Sequence, residues 1–254
     1  IVANSWFSVL TSFCTGISAL VAGLLVQRSL NSDNLRVKGW MLAALILAIL
    51  IGGWYATWVG KRAIFYPLLH FIGLAIILTL RNRLSGLFWE GIEAKPNTEW
   101  QIRSGFVLGG IILFVLSLVF SKPYISEGYL LPYFSFPLGL VGVIVVVYGV
   151  IGGWIKEKLV VAVALAGYCG IIADHMLGNL IFITTIDILI PFSSIENWLK
   201  ALGLPDVPSL FMFVLPVSTI ERTILTVIAT LFGVGLIYGL HRAGMLPTKG
   251  GFQG

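Results

Sequence analysis

The chain has 254 residues, of which 58% are hydrophobic and 11% charged, and its mean hydropathy is +0.99. Soluble domains carry about 45–50% apolar and about 25% charged residues, so a water-soluble globule is excluded. The net charge of +5 comes from 16 Lys and Arg dispersed among 11 Asp and Glu, which gives no concentrated basic surface for nucleic acid.

A membrane span takes about 20 apolar residues, and the charged residues delimit seven such runs. The first is 6–27, within a stretch that carries no charge up to position 27. A second, 39–60, lies between Lys38 and Lys61, and a third, 63–80, between Arg62 and Arg81. The connection that follows holds Leu84, Leu87, Phe88 and Ile92 at helical spacing, which predicts a short helix over 84–95 lying in the cytoplasmic interface. Runs 104–121, 128–155 and 159–186 come next. In 193–203, Ser193 and Glu196 have capping-box spacing, Ile195, Trp198, Leu199 and Leu202 share a face, and Gly203 and Pro205 close the helix. This helix is expected to be a lid or a packing helix within an outer segment, 187–217. Run 223–240 is the last.

The runs are continuous and lack the period-2 alternation of barrel strands, which argues against a β-barrel and predicts an all-α, polytopic membrane helix bundle. Connections on one side carry eleven Lys and Arg and those on the other five. The positive-inside rule then puts the N-terminus outside and the C-terminus in the cytoplasm of a multi-pass cell-membrane protein. Trp6, Trp40, Trp58 and Trp154 fall near run ends, as an interfacial aromatic belt requires.

Ionisable groups inside a bilayer are costly and mark functional sites by default. Asp174, His175 and Asn179 lie in the sixth run, with His175 and Asn179 four apart on one face. Counting back from position 186 puts Asp174 roughly 18 Å below the outer boundary, near mid-membrane. The alternative is a structural Asp–His or Asp–Arg pair that fixes helix packing. Glu221 and Arg222 precede the last run. Ser218 and Glu221 again have capping-box spacing, so Glu221 is read either as a helix cap near the outer edge or, if the helix begins near Leu210, as a deep charge.

Other chemistries lack their residues. There is no P-loop, no H-E-x-x-H, no paired Cys/His spacing for zinc and no Lys in the last run for a retinal Schiff base. Cys14 and Cys169 both sit in apolar runs, away from any disulfide framework. No catalytic residue, metal site or cofactor is expected. A haem held between helices would have only His70 and His175 as intramembrane ligands. Ala44 and Ala48, and likewise Gly149 and Gly153, are spaced for close helix–helix approach.

The segment from Ala173 to Gly244 reads ADHMLGNLIF, then a lid-like stretch, then FVLPVSTIERTILTVIATLFGVGLIYGLHRAG. About 70 residues of it resemble the C-terminal part of the substrate-binding membrane components (S-components) of energy-coupling factor transporters, archaeal ones in particular. The positions that carry the resemblance are Asp174, His175, Gly178, Asn179, Phe182, Pro216, Glu221 and Arg222. It implies a six-helix core with both ends in the cytoplasm, so residues 1–38 would hold an added helix and a cytoplasmic loop, and 39–254 the core. It also implies that Ala44 and Ala48 dock a transmembrane coupling subunit, and that ATP is hydrolysed by two separate ATPase subunits. The chain departs from the family in having only a short outer turn at 60–62.

The expectation is a substrate-capturing subunit of an importer for a vitamin-like small molecule or a metal ion, itself not an enzyme. Asp174, His175, Asn179, Glu221 and Arg222 are its candidate binding residues, and Trp198 and Tyr124 a candidate stacking wall. The alternatives are a membrane anchor or haem-binding subunit of a redox complex, and a scaffold subunit without a ligand.

Overall fold

The computed structural model describes the backbone of residues 2–27, 39–93, 104–127, 132–151 and 158–246, and the side chains of those stretches apart from 2–12, 120–127, 132–137, 151 and 216. Within these bounds the protein is all-helical: α1 (Val2–Val26), α2 (Gly39–Gly60), α3 (Phe65–Thr79), α4 (Arg81–Glu93), α5 (Ser104–Glu127), α6 (Pro132–Ile151), α7 (Lys158–Thr185), α8 (Phe192–Leu202) and α9 (Val207–Arg242). Three helical stretches, Gly39–Gly60, Lys158–Thr185 and Val217–Arg242, are long and apolar enough to cross a membrane. The number rises to five if each of two sharply bent pairs, Phe65–Thr79 with Arg81–Glu93 and Phe192–Leu202 with Val207–Leu215, counts as one span. The stretches Phe13–Val26, Ser104–Val119 and Leu138–Val150 are apolar but shorter.

Local chemistry sets the turns at the end of the bundle where α2 meets α3 and α7 meets α8. Between α2 and α3, Lys61 takes a left-handed conformation (φ 52°) and its ammonium lies 4.6 Å from the Trp58 ring centroid. The Phe65 ring occupies the space where a side chain at Gly60 would project, so any larger residue there would require the ring to move. After α7, the carbonyl of Thr185 accepts from the N–H groups of Ile188, Leu189 and Ile190, and the Asp187 carboxylate accepts from the Phe192 N–H at 3.0 Å. Gly203 (φ 66°) ends α8, with the Leu204 N–H donating to the Leu199 carbonyl at 2.8 Å, a left-handed helix stop.

Two expected capping boxes do not form. Pro191 precedes α8, Ser193 lies inside it, and Glu196 pairs with Lys200 at 2.8 Å instead. In α9 the cap is Asp206, whose carboxylate accepts from the Ser209 N–H at 2.8 Å and its hydroxyl at 2.5 Å. The last helix thus begins 16 residues before the expected run, and Ser218 and Glu221 are interior positions.

α7 is the centre of the bundle, with α1, α4, α9, α3 and α2 packed around it. Small residues at Ala162, Ala166, Gly170 and Ala173 let neighbours approach. A side chain at Gly170 would meet the Ser18 carbonyl of α1 at 2.5 Å, and one at Gly91 of α4 would overlap the backbone of Leu159. The helix expected over 84–95 forms as α4, and its apolar face is covered by protein. Its stripe, Leu84, Phe88 and Ile92, packs inward, and α4 is bent 59° from α3 and lies against α7 and α1. The Trp89 indole also donates to the Val26 carbonyl at 3.2 Å. α5 and α6 form a hairpin closed on glycine. At Gly110 an added side chain would meet the Gly142 carbonyl at 2.6 Å, and at Gly149 the Val107 N–H at 2.7 Å. The seam expected at Gly149 is thus internal to the chain, while Gly153 lies outside the described residues. The hairpin's main contact with the rest runs from α6 to α9.

Candidate functional site

α7 and α9 run antiparallel, and their register brings His175 to Ser218. The imidazole Nε2 and the serine hydroxyl are 2.9 Å apart. Beside this pair lies a cavity of about 170 Å³ whose polar lining comes from His175, Asn179 and Ser218. Its apolar wall is made of Phe182 on α7 and Leu210, Phe211, Val214 and Leu215 on α9, with the Phe182 and Phe211 rings edge to face at 6.1 Å. Tyr66 from α3 completes the lining and is buried (2% exposed). Fully buried ligand pockets for drug-sized molecules run to about 300–1,000 Å³, so this one suits a smaller molecule.

The cavity is not central along the bundle. Tyr66 is the second residue of α3 and lies four positions after Arg62, so the site sits about one turn from the Lys61 corner. α7 is ~42 Å long, well beyond the ~30 Å hydrocarbon core.

Two donors on α7 and α9 are unsatisfied, of which only Asn179 lines the cavity. Asn179 Nδ2 and Arg222 Nε are buried without a hydrogen-bond partner. Arg222 acts electrostatically on both Asp174 and His175. It forms no ion pair within 4.0 Å among the described residues, unlike Lys158 with Glu90 and Lys200 with Glu196. The Asp–Arg pairing weighed from sequence is thus an attraction at a distance rather than a contact.

The expected site residues separate into two groups. His175 and Asn179 line the cavity; Asp174 and Arg222 do not, and are linked to each other, and Arg222 to His175, only electrostatically. Glu221 is exposed, away from the lining, and an interior residue of α9 rather than its cap, as the early helix start expected for the second reading requires. Trp198 is 51% exposed and does not line the cavity; Ile195 and Leu199 are the buried half of the α8 stripe. The side chain of Tyr124 lies outside the described residues. Ala44 and Ala48 are both exposed on α2. Tyr66 and the Leu210–Leu215 wall were not anticipated. The four-residue spacing of Tyr66 and His70 on α3 was the available signal for the first.

His70 is a separate matter. Its Nδ1 lies 2.7 Å from the Tyr66 carbonyl, and its Nε2 is buried without a partner beside a void of about 10 Å³ shared with Cys169. The two histidines therefore open on different cavities, each far too small for a porphyrin. No cluster of three or more His, Cys, Asp or Glu side chains suited to a metal ion occurs among the described residues.

Compared with protein-family models, curated proteins and solved structures, the chain matches none of them.

Proposed function

We propose that the protein captures a small molecule within the membrane and serves as the substrate-binding subunit of an importer driven by separate ATPase subunits. The observation that carries this reading is the cavity between α7, α9 and α3, in which three polar side chains converge on an otherwise apolar wall. Such a mixture is typical of ligand sites, where apolar surface gives affinity and a few polar groups fix orientation. An unsatisfied buried donor costs about 1–3 kcal/mol, so Asn179 Nδ2 and Arg222 Nε favour a state in which something accepts from them. The exposed Ala44 and Ala48 on α2 suit close approach of a coupling subunit's helix. The importer assignment itself rests on the resemblance of residues 173–244 to S-components of energy-coupling factor transporters.

Native mass spectrometry of the detergent-extracted protein tests the capture reading. The expected result is a co-purified small molecule that is absent from the His175→Leu/Asn179→Leu variant. A folded wild-type protein that carries nothing, and takes up nothing from a nutrient mixture, would refute it.

A further inference from the structure

The make-up of the cavity wall points to the class of its ligand. Among the described residues no Lys, Arg, Asp or Glu lines it. Asp174 and Arg222 stay off the lining and act on each other, so neither offers a bound ion its counter-charge. Taking an ion out of water without such a partner costs far more than burying a neutral amide or hydroxyl that keeps its hydrogen bonds. What the wall does offer is two-sided. Asn179 carries a donor and an acceptor on one amide, and its Nδ2 has no hydrogen-bond partner among the described residues. His175 Nε2 and the Ser218 hydroxyl engage each other. In one histidine tautomer the serine still has its proton to give, and in the other it has lone pairs left to accept. The cavity also lies against an uncovered apolar flank of α9. Val214, part of its lining, is 47% exposed, and Phe213 and Val217 beside it are exposed too. From hydrocarbon, such a flank is reached more readily by a neutral molecule than by an ion.

We propose that this cavity takes an uncharged molecule, a single ring or short branched chain bearing one carboxamide or hydroxyl group. The polar group pairs with the Asn179 amide and the Ser218 hydroxyl, and the hydrocarbon lies against Phe182, Phe211 and Leu215. A primary carboxamide suits Asn179 best, because each amide gives the other one N–H and accepts one in return. The inference rests on the capture reading above and names its substrate class. An apolar cavity of ~150 Å³ holds benzene. The volume here, about 170 Å³, therefore admits one ring with a short polar substituent and excludes a nucleotide.

Thermal unfolding of the purified protein in detergent at neutral pH, titrated with matched probes, tests the class. Phenylacetamide is set against phenylacetate, benzyl alcohol against benzylammonium, and toluene serves as the bare hydrocarbon. The amide and the alcohol are expected to raise the midpoint with at least tenfold higher affinity than either ion, and with higher affinity than toluene. Asn179→Leu removes a group whose Nδ2 bonds nothing among the described residues. It should cut phenylacetamide affinity at least tenfold and leave toluene binding in place, and Asn179→Ala serves if the bulkier side chain disturbs folding. A co-purified amide or alcohol in the native mass spectrum would support the class. An ion binding as tightly as its neutral counterpart would overturn it and leave the capture reading intact. Toluene matching phenylacetamide, a phenylacetamide shift unchanged in both Asn179 variants, or a co-purified ion would do the same. Failure of every probe, together with an empty native mass spectrum, would overturn both.

Discussion

At the scale of single residues, the histidine–serine contact between α7 and α9 carries the clearest energetic consequence. Ser218 is 6% exposed and its hydroxyl lies 2.9 Å from His175 Nε2. Removing one partner strands the other in a low-dielectric site, at a cost of about 1–3 kcal/mol, whereas replacing both with apolar groups is nearly neutral. Ser218→Ala alone should therefore destabilise by that amount, and the His175→Leu/Ser218→Ala pair by less than the sum of the two single changes. Equilibrium unfolding in mixed micelles measures the cycle, and strict additivity would show that the contact is weak. The sequence disclosed half of this arrangement. His175 and Asn179 were legible because a polar pair at helical spacing is conspicuous in an apolar run. Ser218 was misread because its true partner is 43 positions away, while a local rule offered a ready role beside Glu221.

At the scale of elements, helix identity followed from apolar runs between charges, and the bounds of α2 coincide with its run. Helix ends depend on which acceptor wins each free N–H, and there the sequence offered rivals. From sequence only the hydroxyls of Ser193 and Ser218 were considered, and Asp187 and Asp206 were passed over. The structure uses the two aspartates, whose ionised oxygens are stronger acceptors than a hydroxyl. Asp206→Ala should accordingly cost about 0.5–2 kcal/mol, while Glu221→Gln, on an exposed interior position, should change stability by less than about 0.5 kcal/mol. Equal losses in the same unfolding assay would restore the capping role to Glu221. The burial of α4 was not legible for a different reason. Its leucine and phenylalanine stripe suits lipid or protein equally, and what decides between them is Gly91, whose lack of a side chain admits the backbone of Leu159.

For the molecule as a whole, the arginine and lysine asymmetry makes a topological claim that the packing leaves open. Glu90 and Lys158, joined at 2.5 Å, lie at the end of α7 opposite the cavity, on the side expected to face the cytoplasm. Ser193 is exposed at the other end. Both native cysteines are buried, so engineered ones can be read against a quiet background. A membrane-impermeant maleimide should label Ser193→Cys in intact cells and Glu90→Cys only after permeabilisation, and the reverse pattern would invert the orientation. The close approach of Gly170 to Ser18 also bears on how the protein is made. The two positions are 152 residues apart in the chain. At roughly 5–20 residues per second, the ribosome needs about 8–30 s to deliver the second after the first. The earliest segment to emerge must wait that long, temporarily mated to lipid, a chaperone or the insertion machinery, before its permanent neighbour is synthesised.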